Sequence, residues 1–442
     1  MTTEITIVLP VLNEHDNLVA LLPRLRRVLD GLRCPSEVVV VDGGSRDGTA
    51  ELARSLGARV IVQRERGYGS ALREGFAAAN SPYVLTLDAD LSHEPDFIRK
   101  LWAARDRADI VIASRYVTGG AAHMPWHRKA LSRILNSFFA IGLGLPVRDL
   151  SSGFRLYRTA ALRELDVSAR EFDVLEEILV KAYAAGWRVA EVPFTYFPRG
   201  RGSSHARIIK FGLVLLRTFG RLRTLRNSVA SADYDERAFY SRIPLQRSWQ
   251  RRRHRIITTL ARAQGRTLDV GCGSSVILQS LNHAVGIDVQ LPKLRYMRRY
   301  RVPLAQGSVF ALPFRDAAFD CVICSQVIEH VPDDPVVLDE LLRVLVPGGL
   351  LILGTPDYAT ICWRLIEPLY GFFAPSAYKD EHITHYTGAG LRSLAARRGL
   401  VVESQHYVYR SELILAMRKP PAVVSRLPEP VPVEAEAVAA AR

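Results

Sequence analysis

Cysteine is scarce in this chain. There are five in 442 residues, odd in number and scattered at positions 34, 272, 321, 324 and 362. That pattern excludes a disulfide-stapled secreted domain and favours reduced thiols. Cys321 and Cys324 form a C-x-x-C, but FDCVIC has the character of a strand. Residues three apart on a strand point to opposite faces, so neither a zinc site nor a redox pair is expected there. Long apolar runs are missing too. A spanning helix needs about 20 consecutive apolar residues, whereas the best stretch, Ser137 to Val147, is 11 residues and is cut by Gly142, Gly144 and Pro146. The opening MTTEITIVLP has no basic region followed by an apolar core, so it reads as a strand and not as a signal peptide. A cytoplasmic protein is expected.

Acidic residues are absent from two segments. Residues 201–226 hold seven Lys/Arg and residues 242–255 hold six Arg, so these two stretches supply thirteen of the net +14 charges. Charge this localised suits one anionic partner surface: lipid headgroups, nucleic acid or a phosphorylated substrate. The plain alternative is a solvated face of surface helices. In HARIIKFGLVLLRTFGRLRTLR (205–226) the apolar residues recur at roughly helical spacing between basic ones. Such a basic amphipathic helix can lie in a membrane interface or pack on a core with one face in water.

The remainder is ordinary globular material, 48% apolar and 24% charged, and the length suits two or three domains at about 150 residues each. Up to Glu191, the strand-like runs ITIVLPVL, SEVVVVDGG, ARVIVQR, YVLTLDAD and DIVIASRY alternate with helical stretches, the βαβα pattern of a mostly parallel sheet. A polar stretch at 227–241 reads as a linker, continued to 263 by the Arg-rich segment. From 264 a second βαβ pattern begins with RTLDVGCG, AVGIDV, FDCVICSQ and GLLILGTP. The tail at 419–442, rich in Pro, Ala and Glu, is expected to be disordered. The two halves carry different motifs, so the chain is a fusion and not a duplication.

In the first half, chemistry-bearing residues fall at the carboxyl ends of strands, where ligands bind in open α/β sheets. VLPVLNE ends the first strand, VVVDGGSRDGT follows the second, and LTLDADLSHEP places Asp88 and Asp90 at the end of a later one. Two carboxylates one residue apart can hold Mg²⁺ or Mn²⁺ through hard oxygen ligands; alone, an Asp-x-Asp is equally a turn or a helix cap. The set, in order, resembles the family 2 glycosyltransferases of GT-A fold, and more closely the dolichyl/polyprenyl-phosphate sugar synthases. VIASRYVTGG, RKALSRILN, VRDLSSGFRLYR, FDVLEEILVKA and VPFTYFPRGRGSS extend the resemblance over about residues 5–205. It implies that Pro10, Leu12, Glu14 and Asp42 contact the nucleotide sugar and that Asp88 and Asp90 bind the metal and the diphosphate. It implies further that Arg115, Arg128 and Ser132 hold the phosphate of the acceptor, with Arg199 closing over it. Asp42-Gly43 stands where the family has paired Asp, Ser92 where it has Gln, and His205 where it has Lys.

In the second half TLDVGCGSS is strand, Gly-rich turn and helix, and Asp288 follows Asp269 by 19 residues. An acid at the tip of the second strand can accept both ribose hydroxyls of a nucleoside cofactor. The continuation LPF…FD…VIEHV…LVPGGLLIL, with HITHYTGAGL later, resembles the class I S-adenosylmethionine-dependent methyltransferases, of Rossmann-like fold, over about residues 265–415. The resemblance implies that Asp269, Gly271 and Gly273 line the donor, that Asp288 takes its ribose, that Ser308 stands at the adenine position, and that Ser325 and Gln326 lie by the reaction centre. Glu329, His330, His382 and His385 are candidate bases. Glu329-His330 reads first as a helix start packed on the sheet, and His382 and His385 are spaced like a metal pair with no further ligand spacing behind them.

The expected protein is thus a bifunctional transferase, peripheral on the cytoplasmic face of an anionic membrane. Its first domain (1–226) would move a sugar onto polyprenyl phosphate, and its second (264–418) would methylate a related sugar or lipid-linked glycan. Three alternatives stay open. One is a transferase acting on a hydroxyl, with Asp149 as base. Another is a nucleic-acid methyltransferase using the Arg-rich segment, although Trp249 is the one aromatic interleaved there and nucleic acid is not the expected partner. The third is a non-catalytic donor-binding module.

Overall fold

The computed structural model describes residues 2–197, 208–373 and 382–421. The first half contributes strands β1 (Ile5–Val11), β2 (Ser36–Asp42), β3 (Arg59–Val62), β4 (Tyr83–Thr86), β5 (Ile110–Ser114), β6 (Ala121–Ala122), β7 (Arg155–Arg158), β8 (Val189–Pro193) and β9 (Thr195–Tyr196). Seven of them form a sheet in the order β3-β2-β1-β4-β7-β5-β8, and β6 pairs with β9 separately. The sheet is parallel except for β7, which runs antiparallel to both β4 and β5. Parallel strands are covered on both faces, which is why they read as unbroken apolar runs. One face is covered by the helix His15–Leu32, whose Leu18, Leu21, Leu25 and Leu29 recur every three to four residues and are buried with Ile5, Ile7 and Leu9. The other face packs Val39, Val41 and Leu72 with Ile178 and Leu179. Register places Val11 beside Asp42 and Val8 beside Thr86. The acidic tips following β1, β2 and β4 therefore leave the sheet at one edge.

The second half forms a second sheet from β10 (Thr267–Val270), β11 (Ala284–Asp288), β12 (Leu304–Gln306), β13 (Phe319–Ser325), β14 (Leu345–Pro356), β15 (Val401–Val408) and β16 (Glu412–Arg418), in the order β12-β11-β10-β13-β14-β16-β15. Here β16 is antiparallel to both its neighbours. Cys321 and Cys324 are buried in β13 and belong to the cores on opposite sides of this sheet, as strand alternation requires.

One expectation is corrected and one open choice narrows. The segment 227–241 is no loose linker. Ala232, Ser231, Asp233, Tyr234 and Ala238 are buried, and a helix Tyr234–Phe239 packs on the second domain. Composition misled because the polar side chains there pair with one another: Asp233 accepts from both terminal nitrogens of the buried Arg226, at 2.7 and 2.6 Å. For the same reason the helix Ile208–Asn227 does not end as a free basic face. Leu222 and Arg226 are buried, Arg221 pairs with Glu177 at 3.1 Å, and Thr218 donates to Asp173 at 2.7 Å. The two domains also touch directly: the Arg295 guanidinium lies 3.8 Å over the Trp187 ring and pairs with Glu164 at 2.9 Å. Among the described residues no helix is long and apolar enough to cross a membrane. The tail from residue 422 lies outside the described residues.

Candidate active sites at two strand edges

At the first edge Asp88 and Asp90 follow β4. Ser92 donates to Asp90 Oδ1 from its hydroxyl at 2.5 Å and from its backbone at 3.1 Å, so it aims the carboxylate. Tyr68 donates to Asp88 Oδ1 at 3.2 Å, and His93 Nδ1 accepts the Asp88 N–H at 3.0 Å. Burial keeps the His93 ring below its ordinary value, with Asp88 and Asp90 pulling the other way, which fits a neutral imidazole whose Nδ1 accepts. Leu91, directly after Asp90, has φ of 63° and Asn13 in the β1 tip 55°. Backbone strain of this kind collects where side chains must be aimed at a ligand. The all-oxygen donor set of Asp88 and Asp90 suits Mg²⁺ or Mn²⁺. Glu14 is half-buried and accepts from Asn17 at 2.5 Å, Pro10 is half-buried, and Leu12 is exposed. Asp42 is buried, and its carboxylate accepts from the N–H groups of Gly44 and Ser45. It shapes its own turn.

A loop at 149–153 links this edge to the helix Trp126–Gly142. A Cβ on Gly153 would lie 3.4 Å from Asp88 Oδ1, and the Gly153 carbonyl accepts from Thr86. Asn136 of the helix accepts from the N–H groups of Leu150 and Ser151. Ser132 accepts from Tyr116 at 2.7 Å. Arg115, expected to face an acceptor phosphate, is committed to Asp149. Its Nε and Nη2 donate to the two carboxylate oxygens at 2.8 and 2.7 Å, and Nη2 also reaches Ser151. Arg128 is exposed on the helix. Arg199 and His205 lie outside the described residues.

At the second edge Gly271 and Gly273 have φ of 66° and 53°. A Cβ on Gly271 would meet Val327 at 2.2 Å, and one on Gly273 would meet Asp235 at 2.5 Å. Glycine is required here on both counts. Asp288 accepts from the N–H groups of Gly273 and Gln290, both at 2.8 Å. Asp269 is buried, its Oδ2 has no hydrogen-bond partner, and burial, with Asp288 and Asp235 nearby, pushes it up to about 8. The side chains of Ser325 and Gln326 end in buried polar atoms without partners, and Gln326 has φ of 60°. Asp269, Gly271, Gly273, Ser325 and Gln326 line a cavity of about 110 Å³ together with Asp235, Phe239, Arg253 and Lys293. A glycine-rich turn closing on the sheet edge, with buried polar atoms of Asp269, Ser325 and Gln326 that have no partner among the described residues, fits an adenosyl cofactor. Ser308 lies in a turn and accepts from the Phe310 N–H.

Residues 6–166 match the family model described as glycosyl transferase family 2, and residues 268–353 match one described as a methyltransferase domain. An uncharacterized glycosyltransferase of Mycobacterium tuberculosis is 38% identical over 201 residues, which are 45% of this chain and 88% of that protein. The chain belongs to glycosyl transferase family 2. Its glycosyltransferase domain is fused to a methyltransferase domain, and both are α/β with mixed sheets. The polyprenol monophosphomannose synthase of Mycolicibacterium smegmatis is 33% identical over 219 residues, 46% of this chain and 81% of that protein. The dolichol-phosphate mannosyltransferase of Pyrococcus furiosus is 36% identical over 210 residues, 46% of this chain, and the match spans 58% of its length. Among solved structures, glucosyl-3-phosphoglycerate synthase from Mycobacterium tuberculosis, in complex with Mn²⁺, UDP and glucosyl-3-phosphoglycerate, gives a TM-score of 0.41 at 23% identity, covering 50% of this chain and 80% of that one.

Several residues of these two domains gave no signal in the sequence. Arg155 of the glycosyltransferase domain is fully buried and donates to the carbonyls of Ser152, Leu175 and Leu150, which latches the 149–153 loop. Asp235 precedes the methyltransferase sheet, yet it accepts from Ser274 N–H at 2.9 Å and pairs with Lys293 at 3.2 Å. His93 had a local signal, two residues past the acidic pair's Leu91, but nothing in its spacing announced that it would hold Asp88.

Proposed function

We propose that the glycosyltransferase domain moves a sugar from a nucleotide sugar to polyprenyl or dolichyl phosphate at the cytoplasmic face of a membrane, and that the methyltransferase domain carries a methyl group from S-adenosylmethionine to a related sugar or lipid-linked glycan. The observation that carries the acceptor is the helix Trp126–Gly142. Trp126, Leu131, Ile134, Phe138 and Ile141 are exposed along it, Trp126 to 80% and Ile134 to 65%, with Arg128 and Arg133 among them. An apolar stripe flanked by cations, uncovered among the described residues, is what an interfacial helix offers a bilayer. The same helix is tied through Asn136 and Ser151 to the loop beside Asp88, so a lipid phosphate at the interface would be near the acidic pair. On the methyltransferase side, a groove of about 1220 Å³ is lined by Arg247, Arg251, Arg252, Arg255 and Arg410, a surface suited to anionic headgroups.

The chemistry agrees with a phosphate acceptor. Its oxygen is already anionic and can displace the diphosphate directly, with inversion, without a base. Asp149, the base that a hydroxyl acceptor would need, is fully buried and bound edge to edge by Arg115. A divalent ion held by Asp88 and Asp90 would offset charge on the departing nucleoside diphosphate. Asp90 is steadied for that by Ser92, and Asp88 by Tyr68 and His93. In the methyltransferase domain Asp269, Gly271 and Gly273 line the cavity, and Asp288 holds the Gly273 N–H of the turn. Transfer from a sulfonium needs alignment above all.

The test is to give the purified full chain labelled nucleotide sugars with polyprenyl phosphate in anionic vesicles. A lipid-linked hexose, heavier by one CH₂ (about 14 Da) when S-adenosylmethionine is added, is the expected product. Sugar appearing on a soluble glycan while the lipid stays uncharged would overturn the acceptor assignment.

A further inference from the structure

Two residues after Gln326 of the cavity lining, the turn Ile328–His330 begins, and it meets a segment more than fifty residues later in the chain. The Glu329 carbonyl accepts from the N–H groups of Ile383 at 2.8 Å and Thr384 at 3.1 Å, and the Thr384 hydroxyl donates to the Val331 carbonyl at 2.7 Å. These bonds seat His382 against the turn. One ligand atom from each of Glu329, His330 and His382 lies within 4.8 Å of the others, and the two imidazole rings are 5.0 Å apart. Glu329-His330 is thus more than a helix start packed on the sheet, and the partner of His382 is this pair and not His385, which stacks on Tyr358 at 4.0 Å.

Two further observations point to a ligand. Glu329 is fully buried, yet neither of its carboxylate oxygens meets a hydrogen-bond donor among the described residues. A buried carboxylate left so is costly unless something cationic or protic completes it. The second observation is the orientation of His382. Tyr358 donates its hydroxyl to Glu367 at 2.7 Å, leaving its oxygen to accept from His382 Nδ1 at 2.7 Å, and Nδ1 also faces the same carboxylate at 3.3 Å. Carboxylates accept, so Nδ1 carries the hydrogen and Nε2 the lone pair. A histidine whose second nitrogen is tied to a carboxylate in this way is oriented as metal-binding histidines are.

We propose that Glu329, His330 and His382 form a site for a divalent first-row transition ion, such as Zn²⁺, Mn²⁺ or Co²⁺, on the acceptor side of the methyl-transfer centre. Two imidazoles and one carboxylate suit that class of ion, and three protein ligands leave coordination positions open for a substrate oxygen. The inference rests on the methyltransferase reading above and narrows it: the methyl acceptor is a hydroxyl, as on a sugar, held and acidified at this site. In the transfer the hydroxyl proton leaves to solvent and the oxygen pair forms the new O–CH₃ bond. The C–S bond breaks with its electron pair returning to sulfur, so the sulfonium becomes a neutral thioether.

The test uses the full, tag-free chain carrying Asp88→Asn and Asp90→Asn, which silences the other candidate metal site. Titration with Co²⁺ alone, followed by its visible absorption, and metal analysis after Zn²⁺ loading are expected to give one ion per chain. Adding His382→Ala or Glu329→Gln is expected to weaken Co²⁺ binding about 100-fold, at the upper end of what perturbing a metal site costs. Calorimetry with S-adenosylmethionine reports in parallel that the domain is folded. If the Asp88/Asp90 variant binds the methyl donor but no ion, or if His382→Ala binds Co²⁺ as tightly as its parent, the metal proposal is overturned and the methyltransferase reading stands. If the donor does not bind and no demethylated product forms from the unaltered chain, the methyltransferase reading falls, whatever the ion does.

Discussion

Arg115 and Asp149 meet edge to edge, with Nε–Oδ2 at 2.8 Å and Nη2–Oδ1 at 2.7 Å, and the Arg115 backbone N–H adds a third bond to Oδ2 at 2.9 Å. Asp149 is fully buried. Removing one member of such a pair leaves the other charge buried without compensation, at about 3–5 kcal/mol. Asp149→Ala is therefore expected to lower stability by that amount, read from the urea midpoint, and to lose sugar transfer with it. Were Asp149 a general base as well, Asp149→Asn would abolish transfer even at a temperature where the variant is fully folded.

The acidic pair gives a sharper result. Asp88→Asn and Asp90→Asn are each expected to reduce sugar transfer by about 100-fold or more, since charge stabilisation by a bound ion is worth several kcal/mol. Methyl transfer by the same preparation should be unaffected. Ser92→Ala removes the hydroxyl that holds Asp90 Oδ1 at 2.5 Å but neither carboxylate. A loss of about tenfold, partly restored by raising Mn²⁺, is expected for a residue that positions a ligand.

Asp269 predicts a pH dependence of stability. Its folded value is raised to about 8, first by burial and then by Asp288 and Asp235, whereas in the unfolded chain it titrates near 3.9. The folded form therefore keeps a proton that the unfolded form has lost. The contribution is complete below pH about 4 and declines as pH rises to about 8, by at most about 1.4 kcal/mol per pH unit. Asp269→Asn should flatten this slope. In donor-free protein its melting temperature should exceed that of the parent at pH 8 and fall towards it at pH 5. A parallel offset at both pH values would show that Asp269 is not the titrating group.

How much of this was legible in the sequence follows from which contacts are local. Parallel strands buried on both faces announce themselves as apolar runs, and Asp42, Asp88, Asp288 and the glycines 271 and 273 punctuate their ends, so both sheets and both edges could be placed. The short antiparallel β7, RLYR, has no such run, and nothing in it indicates that Arg155 is fully buried. Asp235 and Lys293 are 58 residues apart, and Glu329 and His382 are brought together by main-chain bonds across a similar distance. Contacts of that separation leave no periodicity to read. Charge alone left two readings of the 205–226 segment open, a membrane face or a packing helix, because the acids that pair with Arg221 and Arg226 lie elsewhere in the chain.

The proposed docking face is the helix Trp126–Gly142. Ile134 and Ile141 are 65% and 61% exposed, so replacing them should cost the fold little. Burying a large aliphatic side chain in the acyl boundary is worth about 1.5–3 kcal/mol. Ile134→Asp and Ile141→Asp should therefore each weaken co-sedimentation with phosphatidylserine vesicles by about tenfold or more while leaving the melting temperature nearly unchanged. Transfer to a short-chain, water-soluble polyprenyl phosphate should persist in these variants, because the residues at the Asp88 edge are untouched. Replacing the groove arginines Arg251 and Arg252 should instead reduce the salt-sensitive part of vesicle binding. If vesicle binding survives both isoleucine changes, the helix is not the docking face, and the exposed stripe has another cover.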